Sequence, residues 1–148
     1  METLFDTEAR KRILGRISRL EADSTRRWGT MTLGAALAHL ADQLRFATGE
    51  LEPRGPRGPL TWKPVQWFAI AVAPWPRGRV DTSPELLQTE LSPTFEADRD
   101  ELVRLIEMFS QTPAAELKPH PMFGPLPQKL WGRLALRHLD HHLKQFGV

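Results

Sequence analysis

Apolar and polar positions along this chain repeat with helical periodicity in three stretches that contain no proline, 1–52, 94–112 and 128–148. Proline inside a helix removes a hydrogen bond and clashes with the preceding turn, so long helices belong in these stretches. In the first, Ala9, Ile13, Ile17 and Leu20 recur at steps of four and three behind Asp6, a residue type that caps helix N-termini. Trp28-Gly29 reads as a break. A second helix follows from Thr32, its N-cap, to near Ala47, with Leu33, Leu37, Leu40 and Leu44 on one stripe and Gly49 as its stop. Ser92-Pro93-Thr94 opens a third, acidic in its first turn and lined by Phe95, Leu102, Leu105, Ile106 and Phe109. A fourth spans Gln128 to Phe146. Four amphipathic helices in a chain of 148 residues predict one all-α domain over 1–148, a four-helix bundle with a long connection between helices 2 and 3.

That connection, Leu51 to Glu90, is too long for a plain loop in a compact domain. Glu52 to Pro59 (EPRGPRGP) reads as a turn-rich link, and Val65 to Ala73 is apolar enough to pack, as a short helix opened by Pro64. Trp62, Trp67 and Trp75 fall here too. They either plug one end of the bundle or line a ligand cavity.

Composition removes several function classes. With no cysteine, the chain has no disulfide, no thiolate zinc site, no CxxC redox pair and no cysteine nucleophile. Any metal must be held by His, Asp, Glu or water. Twenty Lys and Arg stand against eighteen Asp and Glu, for a formal net charge of +2, and no basic stripe with interleaved aromatics occurs, so nothing points to nucleic acid. Met1 to Arg12 lacks the apolar stretch of a signal peptide. The longest apolar run, Trp67 to Ala73, is far short of the ~20 residues that cross a bilayer. The expectation is a cytoplasmic protein with no membrane partner. No G-x-S-x-G, phosphate-binding glycine loop, HExxH or calcium loop is present, which leaves serine-hydrolase, nucleotide and protease readings without support.

Chemistry concentrates in the histidines. At about 100° per residue, Trp131, Leu134, Ala135, His141, His142 and Gln145 all lie within roughly 60° of His138, on the inward side of the last helix. Lys129, Arg133, Arg137, Asp140 and Lys144 fall on the opposite, solvent side. Leu136 and Leu143 form a second apolar strip among those charges, which fits either a contact with Val65 to Ala73 or a homodimer. His138 and His142, one turn apart, have the spacing by which a helix presents two imidazoles to one ion. A further ligand is needed, and the second helix offers His39, flanked by Ala35, Ala36, Asp42, Gln43 and Phe46 rather than by the leucine stripe. Two plainer readings stay open: histidines near a helix C-terminus that complement its dipole, and a hydrogen-bonded His39. His120, inside the proline-rich 120–127, is expected to pack on or cap the last helix rather than bind metal.

Three segments carry a resemblance to a known group. They are Trp28-Gly29-Thr30-Met31-Thr32 leading to Ala38-His39-Leu40-Ala41-Asp42-Gln43; Pro74-Trp75-Pro76-Arg77-Gly78 with Phe95-Glu96-Ala97-Asp98-Arg99; and His120-Pro121-Met122-Phe123-Gly124-Pro125-Leu126 through Trp131-Gly132-Arg133 to His138-Leu139-Asp140-His141-His142-Leu143-Lys144-Gln145-Phe146. On these the chain resembles the DinB-like (YfiT-like) superfamily of metal-dependent enzymes. The resemblance implies a four-helix bundle whose metal triad falls on His39, His138 and His142. It further implies a divalent ion, zinc or nickel, with an open position where a low-molecular-weight thiol is activated for transfer or isomerisation of a small-molecule substrate. With no cysteine of its own, the chain would have to take that thiol from a diffusible partner. Asp42 is a candidate to orient a ligand imidazole, and Gln43 or His141 to position a substrate or cofactor; Asp42 and His141 are also the candidate catalytic residues. A metal-dependent hydrolase and a non-enzymatic ligand-binding or assembly module with structural histidines are the alternatives.

Overall fold

Two of the long helices begin where a threonine hydroxyl takes up an otherwise unsatisfied first-turn amide. Thr32 Oγ1 accepts from Ala35 N at 3.2 Å, and Thr94 Oγ1 accepts from Ala97 N at 3.2 Å. The structure, a computed structural model, describes residues 1–52, 60–75 and 92–148. Within them lie α1 (Thr7–Ile17), α2 (Leu33–Thr48), α3 (Lys63–Trp67, continued by a π turn over Phe68–Val72), α4 (Phe95–Gln111) and α5 (Gln128–Gln145). No strand occurs among the described residues, so the architecture there is all-α. No described helix is long and apolar enough to cross a membrane. The expected turn-rich link beyond Glu52 lies outside the described residues, as do Pro76, Arg77 and Gly78.

Helix ends follow the sequence signals with one exception. Gly49 ends α2 in the left-handed region at φ 82, its amide bonded to Arg45 O. Asp6 holds the N-cap position of α1, but its carboxylate turns back to accept from Thr3 N at 2.7 Å and Thr3 Oγ1 at 2.9 Å. It therefore fastens the segment before the helix rather than the helix amides. Leu20, expected to extend the α1 stripe, lies past the helix end yet is still buried.

The long helices pack α2 on α4, α1 on α5, α2 on α5 and α1 on α4 around one core. Trp131 of α5 is its largest fully buried side chain. Its ring meets Phe109 of α4 edge-on, and Phe109 packs on Phe5 with ring centroids 4.9 Å apart. The indole N–H donates to Lys118 O at 2.9 Å, so the polar end of the ring is also satisfied. Ions bridge the α2–α4 seam. Arg45 donates to Asp42 at 3.1 Å and to Glu101 at 2.7 Å, and Glu101 accepts from Arg104 as well. Hydrogen bonds from Arg104 first, and from Arg45, hold the Glu101 carboxyl down at about 2.

The packing bears on one open alternative and corrects two expectations. Leu136 and Leu143 are 8% and 1% exposed in the single chain, so the second apolar strip of α5 is covered without a second copy. Arg137 is not a solvent-side residue: it donates to Ile70 O and Ala73 O, both at 2.6 Å, and clamps the end of the π turn onto α5. Finally, Trp62 and Trp67 do not plug the core, being 70% and 54% exposed. The inward positions of this short segment are taken by Gln66 and Ile70, four residues apart, which turns the neighbouring aromatics outward. Gln66 earns its burial by donating to Thr61 O and Phe123 O.

Two helical glycines separate propensity from packing. A Cβ at Gly15 would meet nothing within 4 Å, whereas one at Gly132 would come within 2.5 Å of the Phe5 ring and 2.9 Å of Thr3 Cβ. Alanine gains up to about 1 kcal/mol over glycine in a helix, and overpacking costs about 1–3 kcal/mol. Thermal and urea melts are therefore expected to show Gly15→Ala more stable than the native chain by about 0.5–1 kcal/mol and Gly132→Ala less stable by about 1 kcal/mol or more.

Candidate metal centre

Where α2 crosses α5, His39 faces His138 and His142, and all three are buried. One nitrogen from each lies within 4.8 Å of the others. The rings do not stack: His39 meets His138 at 83° with centroids 4.6 Å apart, and meets His142 at 80° and 5.4 Å. The arrangement is edge to face, with the rings close to perpendicular. Three imidazole nitrogens sharing one ion at bond lengths of about 2.0–2.1 Å would stand roughly 3.3 Å apart in tetrahedral geometry, a gap that side-chain rotation closes.

The hydrogen bonds decide which nitrogen each ring of α5 presents. Gln145 sends its Nε2 to Trp28 O at 2.9 Å, and a carbonyl only accepts, so the amide oxygen must be the atom 2.8 Å from His142 Nδ1. That oxygen also only accepts. His142 Nδ1 therefore carries the proton, and Nε2 keeps its lone pair. Gln43 Oε1, one turn along α2 from His39, stands 2.7 Å from His138 Nδ1 and imposes the same tautomer there. Burial pushes the pKa of His138 well below its ordinary value, and repulsion from His39 and His142 adds to this; burial likewise pushes His142 down to about 4. Both rings are neutral at pH 7, which is the form that binds metal.

The segment before α2 is moulded to this arrangement. Arg27 N donates to Gln145 O at 2.7 Å, and Gly29 sits at φ +75 with Gln145 Nε2 only 2.8 Å from where a Cβ would stand. A side chain at Gly29 would be strained by the backbone and would displace the amide that orients His142. Trp28 is thereby placed beside His141, centroids 6.0 Å apart. Trp75 lies 6.0 Å from His138 and 6.1 Å from His141. These two indoles, His141, Arg137, Asp140 and Lys144 line a cleft of roughly 190 Å³ beside His138 and His142, the neighbours of Trp75 and His141.

Each sequence-derived candidate thus has a place. His39, His138 and His142 come together. Gln43 contacts His138, Asp42 is fully buried and paired with Arg45, and His141 lies beside the cleft at 5.3 Å from His142. Gln145 had no role assigned from sequence, although its position three residues after His142 puts it on the same face one turn on. Trp28 entered only as part of the segment that carries the resemblance, and Arg137 carried no functional signal. His120 packs between Phe123 and Trp131, and its Nδ1 accepts from Met122 N and Phe123 N, which closes the turn before α5.

Burial pushes His120 down to about 3 from an ordinary 6.5, so the unfolded chain takes up a proton there before the native one does. Stability from this residue is complete above 6.5 and is lost as pH falls towards 3. His138 and His142 add to the slope in the same direction. A His120→Asn variant, which keeps an acceptor for the turn amides but cannot titrate, is expected to flatten the stability profile by up to about 1.4 kcal/mol per pH unit in that window. Urea melts at a series of pH values between 7 and 4 measure it.

No curated protein and no solved structure matches the chain. The family model described as "Protein of unknown function (DUF1569)" matches residues 3–147, nearly the whole length, and the chain therefore belongs to the DUF1569 family.

Proposed function

We propose that His39, His138 and His142 hold a divalent cation, zinc or nickel, and that the protein is a metal-dependent enzyme of the DinB-like kind. In this reading α1, α2, α4 and α5 form its four-helix bundle. One observation carries the reading: three buried imidazoles, at least two of them held neutral with Nε2 free of a proton, bring one nitrogen each within 4.8 Å of the others. Lone pairs brought together out of water repel one another and lack donors, and a cation relieves both costs. A divalent ion bound only by neutral ligands keeps its full charge and so lowers the pKa of a coordinated thiol or water.

The rest of the assignment concerns this chain's own residues. Gln43 and Gln145 hold the ligand imidazoles in one tautomer. Asp42, paired to Arg45 and through it to Glu101, fixes the turn of α2 that carries His39 and Gln43 against α4. His141, on the cleft side of His142, is placed to exchange a proton with a substrate. Transfer or isomerisation assisted by a low-molecular-weight thiol fits a chain with no cysteine, because the thiol then arrives from solution.

Metal content of protein purified without chelator is expected to be close to one ion per chain and to fall at least tenfold in His39→Ala and in His142→Ala. Unchanged stoichiometry in both variants would overturn the triad. Gln145→Leu is expected to weaken metal affinity about 10–100-fold while the chain stays folded, because the acceptor at that position holds His142 in the tautomer that presents Nε2. Cobalt-substituted protein titrated with a small thiol reports the rest: a sulfur-to-cobalt absorption band supports thiol activation, and turnover of ester substrates without any thiol replaces it with hydrolysis.

A further inference from the structure

The cleft beside the histidines has a chemistry of its own. Its lining contains two cations, Arg137 and Lys144, and one acid, Asp140. Asp140 is already neutralised twice, by Arg16 at 2.7 Å and by Lys144 at 2.7 Å. Arg137 is different. Two of its five N–H groups go to the uncharged carbonyls of Ile70 and Ala73, and among the described residues it forms no ion pair. Its guanidinium lies 5.0 Å from the Trp75 ring centroid, which orients the group but supplies no negative charge. A half-buried cation that has no carboxylate partner among the described residues favours an anion beside it.

The other walls say what kind of anion. Trp28 and Trp75 flank His141 at 6.0 and 6.1 Å, so flat aromatic surfaces surround the cleft on its histidine side. At roughly 190 Å³ it is smaller than the usual 300–1,000 Å³ of pockets for drug-sized ligands and suits a molecule of a single ring.

We propose that this cleft binds a small planar carboxylate, its oxygens on Arg137 and Lys144 and its flat apolar part between Trp28 and Trp75 against His141. The ligand would lie one imidazole away from His142 and in contact with the indole that touches His138. Its role as the acceptor substrate of the metal centre rests on the function proposed above; its binding does not.

Benzoate is the probe, with benzamide as its uncharged isostere and acetate as the anion without a ring. Titrations are followed by the indole N–H resonances in ¹H–¹⁵N spectra, on metal-loaded and on chelator-stripped protein. Benzoate is expected to shift Trp28 and Trp75 saturably in both, with benzamide and acetate each weaker by about tenfold or more. Because Arg137 also clamps the π turn, Arg137→Gln can lose the fold. Lys144→Gln, on the exposed side of α5, is therefore the decisive variant and is expected to weaken benzoate about threefold without changing benzamide. Equal affinity for benzoate and benzamide, or shifts confined to the exposed Trp62 and Trp67, would overturn the proposal. Benzoate binding intact beside absent metal binding removes the metal reading alone; metal binding intact with no benzoate response removes the cleft alone.

Discussion

An imidazole taken out of water holds charge poorly, and the surroundings of His138 and His142 at the α2–α5 crossing suit the neutral forms of both rings. Desolvation and repulsion between neighbouring rings both disfavour protonation of His138 and His142, so each ring stays neutral and its Nδ1–H needs an acceptor. Amide oxygens meet that requirement. A carboxylate there would raise the pKa of the ring it accepts from, whereas the amide oxygens beside both rings add no charge to the site. Asp42, buried only one residue from Gln43, has its charge directed to Arg45 instead.

Satisfying those amides commits other parts of the chain. Gln145 has a second end, and its demand for a carbonyl draws in the backbone at Trp28, which in turn requires a glycine at position 29. The indole of Trp28 is carried along and becomes a wall of the cleft. On the other side, Arg137 follows directly before His138 and reaches the last carbonyls of the π turn, which brings Trp75 over the same histidines. The walls of the cleft and the orientation of the ligands thus depend on one helix, α5, through adjacent residues on different faces of it. The far end of that helix is held by the fully buried Trp131 and by Gly132, against which Phe5 lies too closely for any side chain.

Much of this was legible in the sequence because it is local. Helix spans follow from where proline is absent, from threonine and glycine at the ends, and from apolar spacing, all of which act within a few residues. The facing of His138 and His142 follows from the 3.6-residue turn alone, and His39 separates from the leucine stripe for the same reason. Departures came where a local rule has two outcomes. Asp6 can accept from the helix ahead or from Thr3 behind, and tryptophans near a core can point in or out; in each case the outcome depends on groups outside the window that is read.

What the sequence determines by itself is therefore a set of helices, their capped ends and the chemistry each face carries, including three histidines able to serve one ion. Only the tertiary structure decides that His39 meets two histidines about a hundred residues away, that Gln145 orients His142, and that Arg137 turns inward to hold a loop. The physical reason is that periodicity gives the direction of a side chain about its own helix axis. A hydrogen bond or a shared ion needs the distance between two axes, and that distance is settled by the packing of all four long helices together.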